Sequence, residues 1–159
     1  MTSSSGYMLE RDDGNAIWFL GTRMTVKAAG AATGGALTLI ECECPAGFAT
    51  PPHIHRVEDE AFYVLAGSIR VTCGSATWRV RPGGFVFLPK GTPHSFVVSD
   101  VEPASMLQLT APSQFEHFAA EAGDAATRSG LPDPGEPDIE RLLAAASRYD
   151  IEILPPPVG

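Results

Sequence analysis

The sequence is short of basic residues and of long apolar runs. Its 11 Lys and Arg stand against 19 Asp and Glu, which leaves a net charge of −8 at pH 7. Such a chain does not attract phosphates or anionic headgroups, so nucleic-acid and membrane partners are not expected. No stretch approaches the roughly 18 apolar residues of a membrane span, and "MTSSSGYMLERDDG" lacks the pattern of a secretion signal. We therefore expect a cytoplasmic protein.

Cysteine is scarce as well. The three cysteines, Cys42, Cys44 and Cys73, are odd in number and do not suggest a disulfide framework, so we expect reduced thiols. In "LIECEC" the alternation places Cys42 and Cys44 on one face of a strand, which favours small core residues. A C-x-C site for a soft metal is the alternative interpretation.

The length and the periodicity of the chain indicate its architecture. A chain of 159 residues buries one sizeable core, which predicts a single domain over residues 1–159. Short apolar runs punctuated by Gly and Pro recur from about residue 16 to 111, a pattern typical of antiparallel sandwiches and barrels. Helical spacing of apolar residues follows, near 113–122 and 137–148. We expect an all-β antiparallel barrel with a helical extension, residues 112–159, packed outside it.

Histidine is also scarce, and its placement forms a clear pattern. The chain has four histidines, and "PPHIHRVEDE" places two of them one residue apart. In a strand, His53 and His55 share one face. Glu60 lies five residues after His55, so a corner or bulge within "RVED" must bring it to the same side. His94 follows the turn "PKGTP". Closure of the sheet would bring these four side chains to one point.

These residues lie in two motifs that resemble those of the cupins. The first cupin motif has fixed Gly, His-x-His, Glu and Gly positions, and this sequence matches them with Gly47, His53, His55, Glu60 and Gly67. The second motif is matched by Gly83, Pro89, Gly91 and His94, with Val98 where the motif has Asn. The wider pattern, including "IWFLG" and "RYDIEILPPP", is similar to small single-domain cupins related to quercetin dioxygenase.

The resemblance implies a fold, a metal centre and a reaction class. The fold would be a cupin (jelly-roll) β-barrel, and His53, His55, Glu60 and His94 would bind one divalent transition-metal ion, Fe, Mn, Ni, Co, Cu or Zn. Glu60 would also act as the catalytic base. The reaction would be a metal-dependent dioxygenation of a small phenolic or enolic molecule, flavonol-like or polyketide-like, with dioxygen as the second substrate. A homodimer is also expected.

Several other residues have both a structural and a functional interpretation. A substrate pocket lined by apolar side chains is one interpretation, and plain core is the other, for Phe48, Phe62, Phe87, Phe96, Val98 and Met106. His117 lies in a predicted helix away from both motifs, which favours an exposed or capping histidine. Glu58 and Asp59 are predicted to form a solvated acidic corner.

Two functions besides dioxygenation stay open. A non-oxidative metal-dependent isomerase or polyketide cyclase would use the same ligands, because a fold does not determine a reaction. A non-catalytic cupin would bind a small molecule without turnover. Oxygen consumption distinguishes the first function from the other two, and product formation without oxygen distinguishes the cyclase from the binding protein.

Overall fold

The computed structural model describes residues 5–156. Within them the chain forms β1 (Asn15–Phe19), β2 (Thr22–Ala28), α1 (Gly30–Thr33), β3 (Thr38–Cys44), β4 (His53–His55), β5 (Asp59–Ala66), β6 (Ile69–Cys73), β7 (Ala76–Val80), β8 (Phe85–Leu88), β9 (His94–Val98), β10 (Ala104–Ala111), α2 (Phe115–Ala122), β11 (Asp124–Ala125), α3 (Ile139–Arg148) and β12 (Ile151–Ile153). None of the helices in this part of the chain has the length and apolar character needed to cross a membrane.

The strands form two antiparallel sheets. The larger sheet has the order β11-β1-β2-β3-β10-β5-β8, and the smaller has the order β12-β4-β9-β6-β7. The predicted antiparallel, mostly β architecture is therefore confirmed, and the arrangement is consistent with a jelly roll. The sheets are not closed into a barrel, however, because over the described residues β8, β11, β7 and β12 stay as sheet edges.

The core lies between the two sheets. In β10 buried and more exposed positions alternate, as expected for a strand with one side facing the core. Met106 on this strand, Val64 on β5 and Val71 on β6 are each 0% exposed. Burial of such side chains stabilises the fold by about 1.5–3 kcal/mol each, so the two layers hold each other in place.

The four motif glycines have backbone conformations that other residues rarely adopt, and two of them fix contacts near the predicted ligands. Gly67, with φ of 70°, follows β5, and a Cβ atom there would collide with the carbonyl oxygen of Pro103. Gly91 has φ of 81°, and its N–H donates to the carbonyl of His55 at 2.8 Å. The turn before β9 is therefore tied directly to the strand that carries the His-x-His pair.

The helices α2 and α3 begin and end within two residues of the predicted ranges. They pack against each other, and α3 leads into β12, which pairs with β4. Phe115 and Phe118 of α2 and Leu142 of α3 face the space between the sheets. The prediction that the helices pack outside the barrel is thus only partly right, because the helices also form one wall of the interior cavity.

Candidate metal centre

The four predicted ligands come from both sheets. β4 carries His53 and His55, and His94 begins β9, where its Cα pairs with that of His53. After β4, residues 56 and 57 form a bend, and the chain enters β5 of the larger sheet with Glu60 on its second residue. The bend therefore supplies the predicted change of direction, because it moves the chain from one sheet to the other.

The structure brings these four side chains together. One ligand atom from each of His53, His55, Glu60 and His94 lies within 4.8 Å of the others. Oε2 of Glu60 is 2.9 Å from Nε2 of His55 and 3.0 Å from Nε2 of His94. Three of the four are buried, and His53 is half-buried. The cluster is therefore compact and has one partly open side.

In each of the three clustered histidines, the Nδ1 atom lies within hydrogen-bonding distance of an oxygen acceptor. His53 Nδ1 lies 2.8 Å from the carbonyl oxygen of Pro51, and His94 Nδ1 lies 3.1 Å from that of Thr92. A carbonyl oxygen only accepts, so each Nδ1 must carry the proton. His55 Nδ1 lies 2.9 Å from Oε1 of Glu58, which also accepts. In the neutral rings the lone pair is then on Nε2, as in histidines that bind metals.

The donor atoms fit a transition-metal ion. Two ligand atoms at right angles, each about 2.1 Å from a metal, are about 3.0 Å apart, which matches the separations of Glu60 Oε2 from the two Nε2 atoms. Nε2 of His55 is buried and has no hydrogen bond of good geometry among the described residues. That atom must hold a proton or face a cation. A set of imidazoles and one carboxylate suits the divalent ions from Mn to Zn.

The electrostatics of the cluster favour positive charge at its centre. Burial lowers the pKa of His55, but Glu60 and Glu58 outweigh burial and raise it to about 10. Burial raises the pKa of Glu60, but His55 and His94 outweigh burial and lower it below the usual range. Burial lowers the pKa of His53 to about 4, so that ring is neutral at pH 7. The Glu60 carboxylate is therefore ionised, and the neutral His53 ring has a free lone pair with which it could bind a metal.

Glu58 corrects one prediction from the sequence. It was predicted to lie in a solvated acidic corner, yet it is 0% exposed. One carboxylate oxygen faces His55 Nδ1, and the other accepts from Nε2 of Gln114 at 3.0 Å. Asp59 is half-buried and accepts from the backbone N–H of Lys90. The prediction failed because the partners of Glu58 include a residue on the distant helical extension.

Gln108 is a site residue that the sequence patterns did not reveal. It is 4% exposed, and its Nε2 donates to Oε1 of Glu60 at 3.1 Å. Its Oε1 accepts from the thiol of Cys42 at 3.4 Å. The amide therefore holds one oxygen of Glu60 while the other oxygen faces the histidines. Its position at a buried point of an apolar strand, in "MLQLT", was the available signal.

An apolar cavity leads to the cluster. The cavity volume, counted as the positions that the centre of a water molecule can occupy, is about 70 Å³. This is several times the volume that one water molecule requires on the same measure. Of the predicted pocket residues, Phe48, Phe62, Phe96 and Met106 line it. Two others do not. Val98 is 1% exposed and belongs to the core away from the cavity, and Phe87 is 51% exposed because it points out from the larger sheet.

The two cysteines of the C-x-C pair and His117 occupy the positions expected for structural residues. Cys42 and Cys44 are buried and line the cavity. Burial raises the pKa of Cys44 to about 12, and burial with nearby acidic groups raises the pKa of Cys42 well above its usual value. Both thiols therefore stay protonated in the absence of a metal, and neither belongs to the cluster of possible metal ligands among the described residues. The side chain of His117 is 68% exposed, away from the cluster.

The chain is similar to known proteins in the segment that carries the site. Residues 40–110 match the family described as Cupin domain. The chain is 27% identical over 153 residues to the quercetin 2,3-dioxygenase of Bacillus subtilis (strain 168), which covers 94% of this chain and 44% of that protein. The chain thus spans less than half the length of this curated relative.

Solved structures agree in fold. KdgF from Halomonas sp. is 19% identical with a TM-score of 0.62, covering 71% of this chain and 99% of that one. The polyketide cyclase RemF from Streptomyces resistomycificus is 25% identical with a TM-score of 0.59, covering 69% of this chain and 81% of that one. The two antiparallel sheets and both sequence motifs agree with these similarities, and residues 40–110 are the part of the chain that resembles the cupin domain.

Proposed function

We propose that this cupin is a metal-dependent dioxygenase that acts on a small, flat phenolic or enolic molecule. The observation that carries the proposal is the His53, His55, Glu60 and His94 cluster beside an aromatic cavity. The similarity to a quercetin 2,3-dioxygenase over 94% of the chain supports the reaction class. A bound divalent ion would lower the pKa of a coordinated hydroxyl group and leave positions for further ligands.

The cavity walls select a flat apolar substrate. The ring centroid of Phe96 lies 5.3 Å from that of Phe62 and 5.8 Å from that of Phe48. Phe115, which also lines the cavity, lies 5.9 Å from the His55 ring. Such walls bind an aromatic or conjugated ring by apolar contact and exclude water from the cluster. A polar group on the substrate would then find its partners at the histidine end.

Glu60 is the proton acceptor of the proposed reaction. Its lowered pKa keeps the side chain ionised at neutral pH. Gln108 holds Oε1 by one hydrogen bond, while Oε2 lies at the centre of the cluster. A rotation of the carboxylate about its terminal bond brings an oxygen toward a substrate hydroxyl, from which it takes the proton. General-base catalysis of this kind accelerates reactions by roughly 10²- to 10⁴-fold.

A non-oxidative cyclisation is the second candidate. RemF, a polyketide cyclase by its description, has the same fold at 25% identity. An enolic polyketide would meet the same aromatic walls and the same carboxylate base, and the reaction would need no oxygen. A non-catalytic binding role would use the cavity alone.

Oxygen dependence distinguishes these functions. The protein is purified without chelators, its metal content is measured, and it is reloaded separately with Fe, Mn, Co, Ni, Cu and Zn. Each form is incubated with a panel of flavonols and enolic polyketides in an oxygen electrode and under nitrogen. The proposal expects metal-dependent oxygen uptake matched by substrate loss. Product formation under nitrogen would favour the cyclase, and binding without product in either atmosphere would contradict both enzymatic proposals.

A single domain, a cytoplasmic location and a homodimer are further proposals. The homodimer is supported by the outer face of the larger sheet, where Tyr63 and Phe85 pair across two strands and are 45% and 64% exposed. Apolar side chains on an outer sheet face commonly mark protein interfaces. Sedimentation as a monomer at micromolar concentration would contradict the homodimer.

A further inference from the structure

A chain of hydrogen bonds links His55 to the helical extension. His55 Nδ1 donates to Oε1 of Glu58 at 2.9 Å. Oε2 of Glu58 accepts from Nε2 of Gln114 at 3.0 Å, and the same Nε2 donates to the carbonyl of Tyr149 at 2.8 Å. Gln114 immediately precedes α2, and Tyr149 immediately follows α3. The series therefore runs from the metal cluster to both helices.

The position of Glu58 needs an explanation beyond packing. A carboxylate that is 0% exposed carries a large desolvation cost unless its oxygens are well bonded. Each oxygen of Glu58 has one N–H partner, so the side chain has one defined orientation. That orientation directs a negative charge at the outer nitrogen of His55. An ionised acceptor there holds the ring in place and makes Nε2 a better electron-pair donor.

The backbone of the same histidine is braced by the extension. β12 pairs with β4 so that Ile151 lies opposite His55, and the N–H of Arg56 donates to the carbonyl of Asp150 at 3.0 Å. Both the ring and the backbone of His55 thus depend on residues beyond 111. These residues lie outside the segment, 40–110, that matches the family.

We propose that Glu58 is a positioning residue for His55 and that Gln114 makes the helical extension part of the metal centre. The inference rests on the proposed metal site. Glu58 sets the direction and basicity of the His55 Nε2 lone pair, and Gln114 holds the Glu58 carboxylate in its bonded orientation. A cupin segment without this extension would then bind the ion more weakly at the same ligands.

Cobalt binding to the metal-free protein tests the inference. Glu58→Gln replaces the anionic acceptor by an amide, which cannot accept from both His55 and Gln114 at once. We expect its affinity for Co²⁺ to fall by roughly 10- to 100-fold in calorimetric titration, with a changed visible absorption spectrum of the bound ion. Glu102→Gln removes the same charge at an exposed loop position and should match the wild type in both measurements.

Gln114→Ala provides the second variant, because it leaves Glu58 in place. Loss of one hydrogen bond to a buried carboxylate should weaken Co²⁺ binding by about fivefold or more, and the spectrum should change in the same direction. Thermal unfolding by circular dichroism establishes that each variant is folded. Wild-type affinity and spectrum in folded Glu58→Gln, or in Gln114→Ala if Glu58→Gln does not fold, would overturn the inference.

The experiment distinguishes failure of the Glu58 proposal from failure of the proposed dioxygenase reaction. A wild-type protein that binds Co²⁺ but consumes no oxygen with any substrate would contradict the dioxygenase, while the affinity differences among the variants would still support the role of Glu58. A wild-type protein that binds no Co²⁺ would overturn the metal centre and this inference with it.

Discussion

Nε2 of His94 lies 3.0 Å from Oε2 of Glu60, although the two residues belong to different sheets. The contact joins the start of β9 to the start of β5, and both side chains are buried. The candidate metal centre therefore exists only when the two sheets pack together. The two groups are within hydrogen-bonding distance, and a cation bound by both would further offset the cost of burying the carboxylate.

Replacement of His94 by Ala should abolish metal binding. Each histidine would supply one bond to the ion, so we expect affinity to fall by more than roughly 100-fold. Metal content after dialysis, measured by mass spectrometry, checks the prediction. His117→Ala, which changes an exposed histidine, should keep full metal content. Equal loss in both variants would mean that the ligand set is wrong.

Replacement of Glu60 by Gln should separate metal binding from turnover. The amide keeps the size and one oxygen donor but cannot accept the substrate proton. We expect the metal to be largely retained and kcat to fall by roughly 10²- to 10⁴-fold. Both quantities are measured on one preparation. Near-normal turnover with full metal would exclude Glu60 as the base, and loss of both together would leave Glu60 as a ligand only.

Gln108→Leu should lower turnover without removing the metal. The substitution deletes the N–H that bonds Oε1 of Glu60, and the freed carboxylate samples other orientations. We expect kcat to fall by about tenfold, because a lost hydrogen bond to a charged group typically changes energies by one to three kcal/mol. Cys42→Ala touches the other end of Gln108 and should have a much smaller effect. Similar losses in both variants would argue for a packing effect instead.

Glu116, which is not among the candidate metal ligands, should make the stability of the protein depend on pH. Burial raises the pKa of Glu116, but hydrogen bonds from Thr38 and the Gly30 N–H outweigh burial and lower it below its usual value near 4.5. A lowered pKa in the folded state stabilises the protein above about pH 4.5, and this contribution is lost as the pH falls through the folded value.

The test of Glu116 compares melting temperatures across pH. Glu116→Gln should unfold at a lower temperature than the wild type at pH 7, and the difference should shrink as the pH falls below about 4.5. Circular dichroism melts at each pH measure it. Glu102→Gln changes an exposed carboxylate and should follow the wild-type curve. A constant difference at all pH values would show that Glu116 contributes through shape rather than charge.

The candidate ligand residues were predictable from local patterns. The His-x-His spacing places His53 and His55 on one side of any strand, because side chains alternate along an extended backbone. The bend before Glu60 followed from the odd spacing. The antiparallel character of the fold and the two helices followed in the same way from the period of the apolar residues.

The surroundings of the site were not predictable in this way. The acidic run at Glu58 looks solvated in sequence, and its burial depends on Gln114, which is 56 residues further along the chain. Gln108 resembles any polar residue in a strand until the packing of β10 beside β5 places it against Glu60. Val98 and Phe87 were both candidates for the pocket, but their orientation in the packed sheets excludes them.

The sequence by itself determined which side chains are the candidate metal donors and which turns present them, because strand alternation and the positive φ of motif glycines are properties of the local backbone. Only the tertiary structure decided that the two sheets stay open over the described residues, that the helices form a wall of the cavity and that Glu58 contacts His55. Those features depend on contacts between residues that are distant in the sequence. For Glu58, the free energy of burying the carboxylate is set by its hydrogen-bond partners in space and not by its neighbours in the chain.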